Sequence, residues 1–121
     1  MGDNAVLDKS KAFALHIIDL YRHLTNDKRE FVLSKQILRS GTSIGANTRE
    51  AVRGYSKADF YHKLNIALKE ADESAYWLEL LFESNYIDNG LFEGIYTECN
   101  EIISLLVSIT KTQKKQALPN S

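Results

Sequence analysis

The stretch SGTSIGANTREAVRG, Ser40 to Gly54, decides which fold this sequence can form. The residues on either side of its glycines have helical character, yet Gly41 and Gly45 would each cost about 1 kcal/mol relative to alanine inside a helix. Two glycines four residues apart therefore indicate either a break in the helix or a neighbouring element that packs very close to it.

A continuous helix explains the apolar residues on both sides of these glycines. At about 100° per residue, four of them share one face of a helix over about residues 31–53. They are Leu33, Ile37, Ile44 and Ala51. A break would scatter this face, so we predict an unbroken helix that packs closely on the small residues in the middle of the next helix, and we expect leucine at Gly45 to overpack that contact. The alternative is a kink or a ligand pocket at the glycines.

Three further segments carry apolar residues at alternating three- and four-residue spacing, which indicates amphipathic helices over about residues 9–24, 56–84 and 90–114. Ser56 is placed to cap the third helix, with Asp59 three residues later as in a capping box. The turns between the helices are short, so consecutive helices are expected to be antiparallel.

The length and composition of the chain fit one domain. The 121 residues are enough to bury one core but not two. The one proline, Pro119, lies near the C-terminus, so no helix before it is interrupted. We predict a single all-α domain over residues 1–121, an antiparallel up-down-up-down four-helix bundle with its core at about residues 8–115 and a disordered tail at 116–121.

The middle of the chain resembles a known bacterial family. The residues that carry the resemblance are Ser43-Ile44-Gly45-Ala46-Asn47, Glu50, Ser56-Lys57, Phe60, Leu64, Ile66-Ala67 and Glu73. They are similar to those of the four-helix bundle proteins named for the protein encoded in the intervening sequence of 23S ribosomal RNA genes, the S23 family. The resemblance implies a bundle that assembles into a homo-oligomeric ring, commonly a pentamer, and it implies no enzyme. Related accessory proteins of diversity-generating retroelements bind nucleic acid.

Charge is strongly segregated along the chain, although the formal net charge is only −1. Residues 31–69 contain seven basic and two acidic residues, whereas residues 70–101 contain nine acidic residues and no lysine or arginine. In an antiparallel bundle, the second turn and both chain ends lie at one end of the molecule. The basic residues expected there are Lys9, Lys11, Arg49, Arg53, Lys57, Lys111, Lys114 and Lys115.

The second helix also carries a predicted stripe of cations. Lys35, Arg39, Arg49 and Arg53 fall within an arc of about 80° and span roughly 27 Å, with Lys57 just beyond the turn. This spacing suits successive phosphates, so we predict that these five residues bind RNA or DNA through backbone charge rather than sequence. The alternative is a solvated face in a protein–protein interaction scaffold, whose cations near the end of the helix only complement the helix dipole.

The aromatic residues are more numerous than the core stripes can absorb. Tyr76 and Trp77 flank the apolar stripe of the third helix, and Tyr86 lies in the turn that follows. Amphipathic aromatic side chains outside the core are typical of subunit interfaces, so we predict that these three residues contact another copy of the chain. Base stacking is the alternative.

Chemistry-bearing motifs are sparse. Asp59-x-x-His62 occurs once, without the partner that a di-iron bundle needs, and Cys99 lies on a core stripe. There is no glycine-rich phosphate loop and no apolar run long enough to span a membrane. The sequence therefore predicts no enzyme, no metal or other cofactor, no small-molecule substrate and no membrane partner. The single cysteine fits a reducing cytoplasm.

Overall fold

The computed structural model describes the backbone of residues 2–117 and the side chains of residues 5–112. Within this part of the chain there are four helices and no strand: α1 (Gly2–Asn26), α2 (Leu33–Val52), α3 (Lys57–Glu83) and α4 (Asn89–Ala117). The predicted all-helical class is confirmed. The predicted tail begins inside α4, and residues 118–121 lie outside the described residues.

The four helices pack as a bundle in which each helix contacts two others. The contact between α2 and α3 is the most extensive, and that between α1 and α4 is the least extensive. Lys9 of α1 pairs with Glu101 of α4, whereas the later residue His16 pairs with the earlier residue Glu98. The core enclosed by the helices is almost entirely aliphatic, and Phe13 is its one fully buried aromatic ring among the described side chains. Its largest fully buried apolar side chains are Phe13, Ile17, Leu24, Ile37, Ile44, Leu64, Leu78, Leu81, Ile102, Leu106 and Val6.

The predicted continuity of α2 through its glycines is confirmed, but the partner of the glycines is α1 rather than α3. A Cβ atom placed on Gly41 would lie 2.9 Å from the side chain of Ile17. The atoms nearest to such a Cβ on Gly45 belong to Ser10, at 3.5 Å, which is an ordinary contact. The close approach therefore lies at Gly41, and the sequence-based expectation for Gly45 is corrected.

Where α2 packs closely against α3, the residues in contact are serines rather than glycines. The Ser74 hydroxyl donates a hydrogen bond to the Ser40 hydroxyl at 2.9 Å, and both residues are fully buried. Each serine is small enough to let the helices approach, and the hydrogen bond satisfies a polar group that would be costly to bury alone. The small-residue middle of α3 thus faces a serine of α2.

Two different caps begin α2 and α3. The Ser56 hydroxyl accepts from the Asp59 backbone N–H at 3.1 Å, which confirms the predicted cap of α3. At α2 the cap is the buried carboxylate of Glu30, which accepts from the backbone N–H groups of Val32, Leu33 and Ser34 at 3.2, 3.0 and 2.7 Å. An anionic cap satisfies three free N–H groups and complements the positive end of the helix dipole.

Replacing Glu30 with alanine is expected to lower the free energy of unfolding by about 1 to 2 kcal/mol at neutral pH. Burial raises the pKa of Glu30, but the three backbone hydrogen bonds together outweigh burial and hold it below its ordinary value. A lowered pKa gives stability that is present above the unfolded-state pKa and is lost as pH falls through the folded-state pKa. Urea unfolding at neutral and acidic pH measures the free energy of unfolding of the variant and of the native sequence. The difference between the two should become smaller in acid. Glu93→Ala, at an exposed position of α4, should show no such pH dependence.

Candidate nucleic-acid interface

A groove of about 730 Å³ runs between α1 and α2 near the C-terminal end of α2. Three cations line it, Lys11 from α1 and Arg49 and Arg53 from the end of α2. Gly45 and Ala46 line it too, and because they have little or no side chain the groove between the two helices stays open. The floor of the groove at these two residues therefore lies close to the backbone of α2.

The positions of these cations follow from local helix geometry. Arg49 and Arg53 are four residues apart and thus one turn apart on the same face, and Arg53 is the C-cap residue of α2. Cations at this place also complement the negative end of the helix dipole. Lys11, Arg49 and Arg53 are exposed, and none of them forms an ion pair with another side chain in residues 5–112. Their charges are available to a ligand.

Two carboxylates also line this groove, and one of them is compensated. Glu50 Oε1 lies 2.8 Å from Nζ of Lys63 in α3, and this hydrogen bond together with the negative charge raises the pKa of Lys63. The negative charge of Glu50 is therefore balanced by a lysine of α3. Asp8 is the other acidic residue of the lining, and no ion pair joins it to another side chain in residues 5–112, so three cations face one such anion.

The predicted stripe along α2 is interrupted at Arg39. Its Nη1 lies 3.0 Å from Glu70 Oε2, and its Nη2 forms a second ion pair with Glu73. The charge of Glu70 is the main reason why the pKa of Arg39 is raised. Arg39 thus connects α2 to α3, and its charge is matched by two carboxylates.

The structure brings together only part of the predicted cation set. Arg49 and Arg53 share the groove, whereas Lys35 is exposed near the other end of α2 and Lys57, also exposed, begins α3 outside the groove lining. Lys11 was expected at the basic end but not in the binding stripe. Helical periodicity within α2 could not reveal it, because it comes from a different helix.

Most of the aromatic residues pack within the subunit, which corrects the predicted surplus. Tyr61 is buried, and Trp77, Tyr86 and Tyr96 are partly buried against the core. Tyr96 also donates a hydrogen bond from its hydroxyl to Glu79 at 2.7 Å. The exposed aromatic side chains among residues 5–112 are Phe31, Tyr55 and Tyr76. A role of Tyr76, Trp77 and Tyr86 in subunit contacts stays a prediction.

Cys99 has the properties of an inert core thiol. It is fully buried, and its Sγ donates to the backbone oxygen of Ala71 at 3.3 Å. Burial, with a smaller contribution from the charge of Asp72, raises the pKa of the Cys99 thiol to about 12. The thiolate that a nucleophile needs is therefore disfavoured at neutral pH, as its position on the core stripe predicts.

Comparison with known proteins identifies the family. The family model described as 23S rRNA-intervening sequence protein matches residues 2–108. The chain is also similar to a protein of unknown function from the S23 ribosomal protein family of Bacteroides thetaiotaomicron, known from a crystal structure at 1.70 Å resolution. The two are 58% identical, the match covers 92% of this chain and 99% of that chain, and the TM-score is 0.90. No curated protein matches the chain. The chain belongs to the 23S rRNA-intervening sequence protein family.

Proposed function

We propose that this protein is a non-enzymatic, cytoplasmic accessory protein that binds RNA or DNA through the phosphate backbone. The observation that carries the proposal is the groove in which Lys11, Arg49 and Arg53 face solvent together while Glu50 is paired with Lys63. Lys35 and Lys57 extend the contact on either side. Arg39 can bind a phosphate only if its ion pairs with Glu70 and Glu73 break.

The chemistry of the groove favours phosphates over bases. Guanidinium groups present forked N–H donors that match two phosphate oxygens at once, and the lysine adds a mobile positive charge. Thr42 is the one uncharged polar residue of the lining among the described side chains, and its hydroxyl already donates to the backbone oxygen of Leu38. No asparagine or glutamine side chain among the described residues lines the groove to read an adenine edge. Binding should therefore depend on backbone charge and be nearly independent of sequence.

The proposal includes assembly of an up-down-up-down bundle into a homo-oligomeric ring, commonly a pentamer in relatives of this kind. The opposite order of the contacts between α1 and α4 supports the bundle topology, and exposed Tyr76 beside Trp77 supports a subunit contact that also involves Tyr86. In a ring, several modest grooves act on one nucleic acid, which raises the overall affinity without any new contact. Sedimentation equilibrium should give a whole-number multiple of the 13.7 kDa chain mass above one.

A scaffold that binds only proteins is the second candidate function. Two observations favour it: Arg39 is already matched by Glu70 and Glu73, and Tyr55 and Tyr76 are exposed. A scaffold held by apolar and aromatic contacts would respond little to salt, whereas a complex with phosphates releases counterions and weakens steeply.

The test is the salt dependence of binding to unrelated oligonucleotides. Fluorescence anisotropy with several RNA and DNA strands of different sequence should give similar affinities for all strands of one type. If each of the three groove cations contacts one phosphate, the logarithm of the association constant should fall with the logarithm of salt concentration with a slope of about −2 to −3 per groove. Absence of binding at low salt, or a slope near zero, would favour the scaffold.

A further inference from the structure

A second groove lies between α1 and α4, the helix pair with the least extensive contact. It has a volume of about 570 Å³ and an apolar floor formed by Leu20, Leu91 and Ile95. Gly94 leaves a notch in this floor, because a Cβ atom placed there would meet no atom within 4 Å. An open apolar trough of this kind can receive a side chain from another molecule.

The rim of this α1–α4 groove is acidic. Asp19, Asp88 and Glu98 line it together with His16 and His23, and no lysine or arginine does among the described side chains. Near one edge Asp19 has an ion pair of 3.4 Å with Arg22, but both side chains are largely exposed, so the pair contributes little. The groove therefore combines an apolar floor with a negative edge.

Asp19 and Asp88 each have one carboxylate oxygen without a hydrogen bond from residues 5–112. The Asp88 carboxylate accepts from the Leu91 backbone N–H at 2.8 Å through one of its oxygens. Both carboxylate oxygens of Glu98 lie close to Nδ1 of His16, at 2.6 and 2.8 Å, and His16 is charged only when protonated. Nδ1 of His23 lies 2.9 Å from Oδ2 of Asp27, which is not part of the groove lining.

We propose that the α1–α4 groove binds a basic amphipathic helix of a partner protein. Apolar side chains of that helix would lie along the floor with one in the notch at Gly94, and its lysine or arginine side chains would face Asp19 and Glu98. The lining extends over two turns of α4 and two of α1, roughly 10 to 12 Å, which matches apolar residues at positions i, i+3 or i+4, and i+7 of a docked helix. Charge complementarity selects a basic partner and disfavours a nucleic acid, whose phosphates would be repelled.

This groove and the groove proposed for nucleic acid can be occupied together. The α1 residues of the acidic groove, such as His16 and Leu20, lie in the C-terminal half of the helix. Those of the basic groove, such as Leu7 and Lys11, lie in the N-terminal half and on the opposite side. The protein would then connect a nucleic acid to a basic protein segment without either ligand displacing the other.

The test compares two synthetic amphipathic helices of about four turns that share one leucine pattern and carry either lysine or glutamate on the polar face. Fluorescence anisotropy should show that the lysine peptide binds at least about tenfold more tightly than the glutamate peptide. Gly94→Leu fills the notch without a clash and should weaken binding of the lysine peptide about tenfold. Ser104→Leu adds the same side chain at an exposed position of α4 outside the groove and should leave the affinity unchanged.

The charged rim is tested by Asp19→Asn with Glu98→Gln, which should weaken binding of the lysine peptide about fivefold or more. Asp72→Asn with Glu83→Gln, at exposed positions of α3, makes the same change in net charge and should have little effect. Equal affinity for both peptides, or unchanged affinity in Gly94→Leu, would overturn the proposal. A smaller oligomer in Gly94→Leu would also overturn it, because the groove would then be covered by a second copy of the chain. Oligonucleotide binding by Gly94→Leu should stay unchanged, which separates this test from that of the proposed function.

Discussion

Replacing Gly41 with leucine is expected to lower the free energy of unfolding by about 3 kcal/mol or more. A Cβ atom at this position already lies 2.9 Å from two side-chain carbons of Ile17, which is fully buried. Ile17 cannot turn away easily, because a β-branched side chain in a helix has one strongly preferred rotamer. The larger side chain must therefore push α1 and α2 apart and disturb the core beside them.

Gly94 supplies the matched control. Gly94→Leu makes the same substitution inside a helix, but nothing lies within 4 Å of the added Cβ, so the variant should gain up to about 1 kcal/mol from helix propensity. Urea unfolding followed by circular dichroism, at one fixed protein concentration, measures both changes. If the two variants changed stability alike, α1 and α2 would not be in close contact at Gly41.

Replacing both Arg49 and Arg53 with glutamate is expected to lower the affinity for unrelated oligonucleotides on the order of 100-fold at low salt. Two phosphate contacts are lost and two negative charges are placed in the groove that Lys11 shares. Each lost contact should also remove about one unit from the salt slope, so the remaining dependence becomes flatter. The loss should be similar for all sequences tested, because phosphate contacts carry no base information.

Arg22→Glu with Lys28→Glu is the control for this double variant. It makes the same change in net charge at exposed positions near the other end of α1, far along the helix from the groove residue Lys11. It should reduce affinity much less. Unchanged affinity of Arg49→Glu with Arg53→Glu in an intact oligomer would place the site elsewhere, and loss of the oligomer would show that the arginines serve subunit contacts.

Local signals predicted the helices well where a cap or an unbroken apolar face defines them. α3 begins directly after its predicted cap, Ser56, because the capping hydrogen bond joins residues only three positions apart. It ends at Glu83, within one residue of the predicted end. α1 begins at Gly2, several residues before the predicted start, and its extra turns are held by burial of Val6 in the bundle. So short a segment contains too few apolar residues to show a helical pattern, so its burial against other helices could not be predicted from the sequence.

The candidate site was predictable only in part. Arg49 and Arg53 share a groove as their spacing along one helix predicts, but Lys11 joins them from α1 and Arg39 is matched by carboxylates of α3. A charge seen in a sequence does not reveal its partner, since ion pairs between helices depend on how the helices are rotated about their axes.

The sequence by itself determined the four helical segments, the passage of α2 through Gly41 and Gly45, the membership in the family and the segregation of charge. Only the tertiary structure decided that Gly41 faces Ile17, that Glu30 caps α2 and that an acidic groove opens between α1 and α4. The physical reason is the range of the interactions. Helix periodicity and capping act between residues a few positions apart, whereas the partner of a helix face is set by the packing of the whole core.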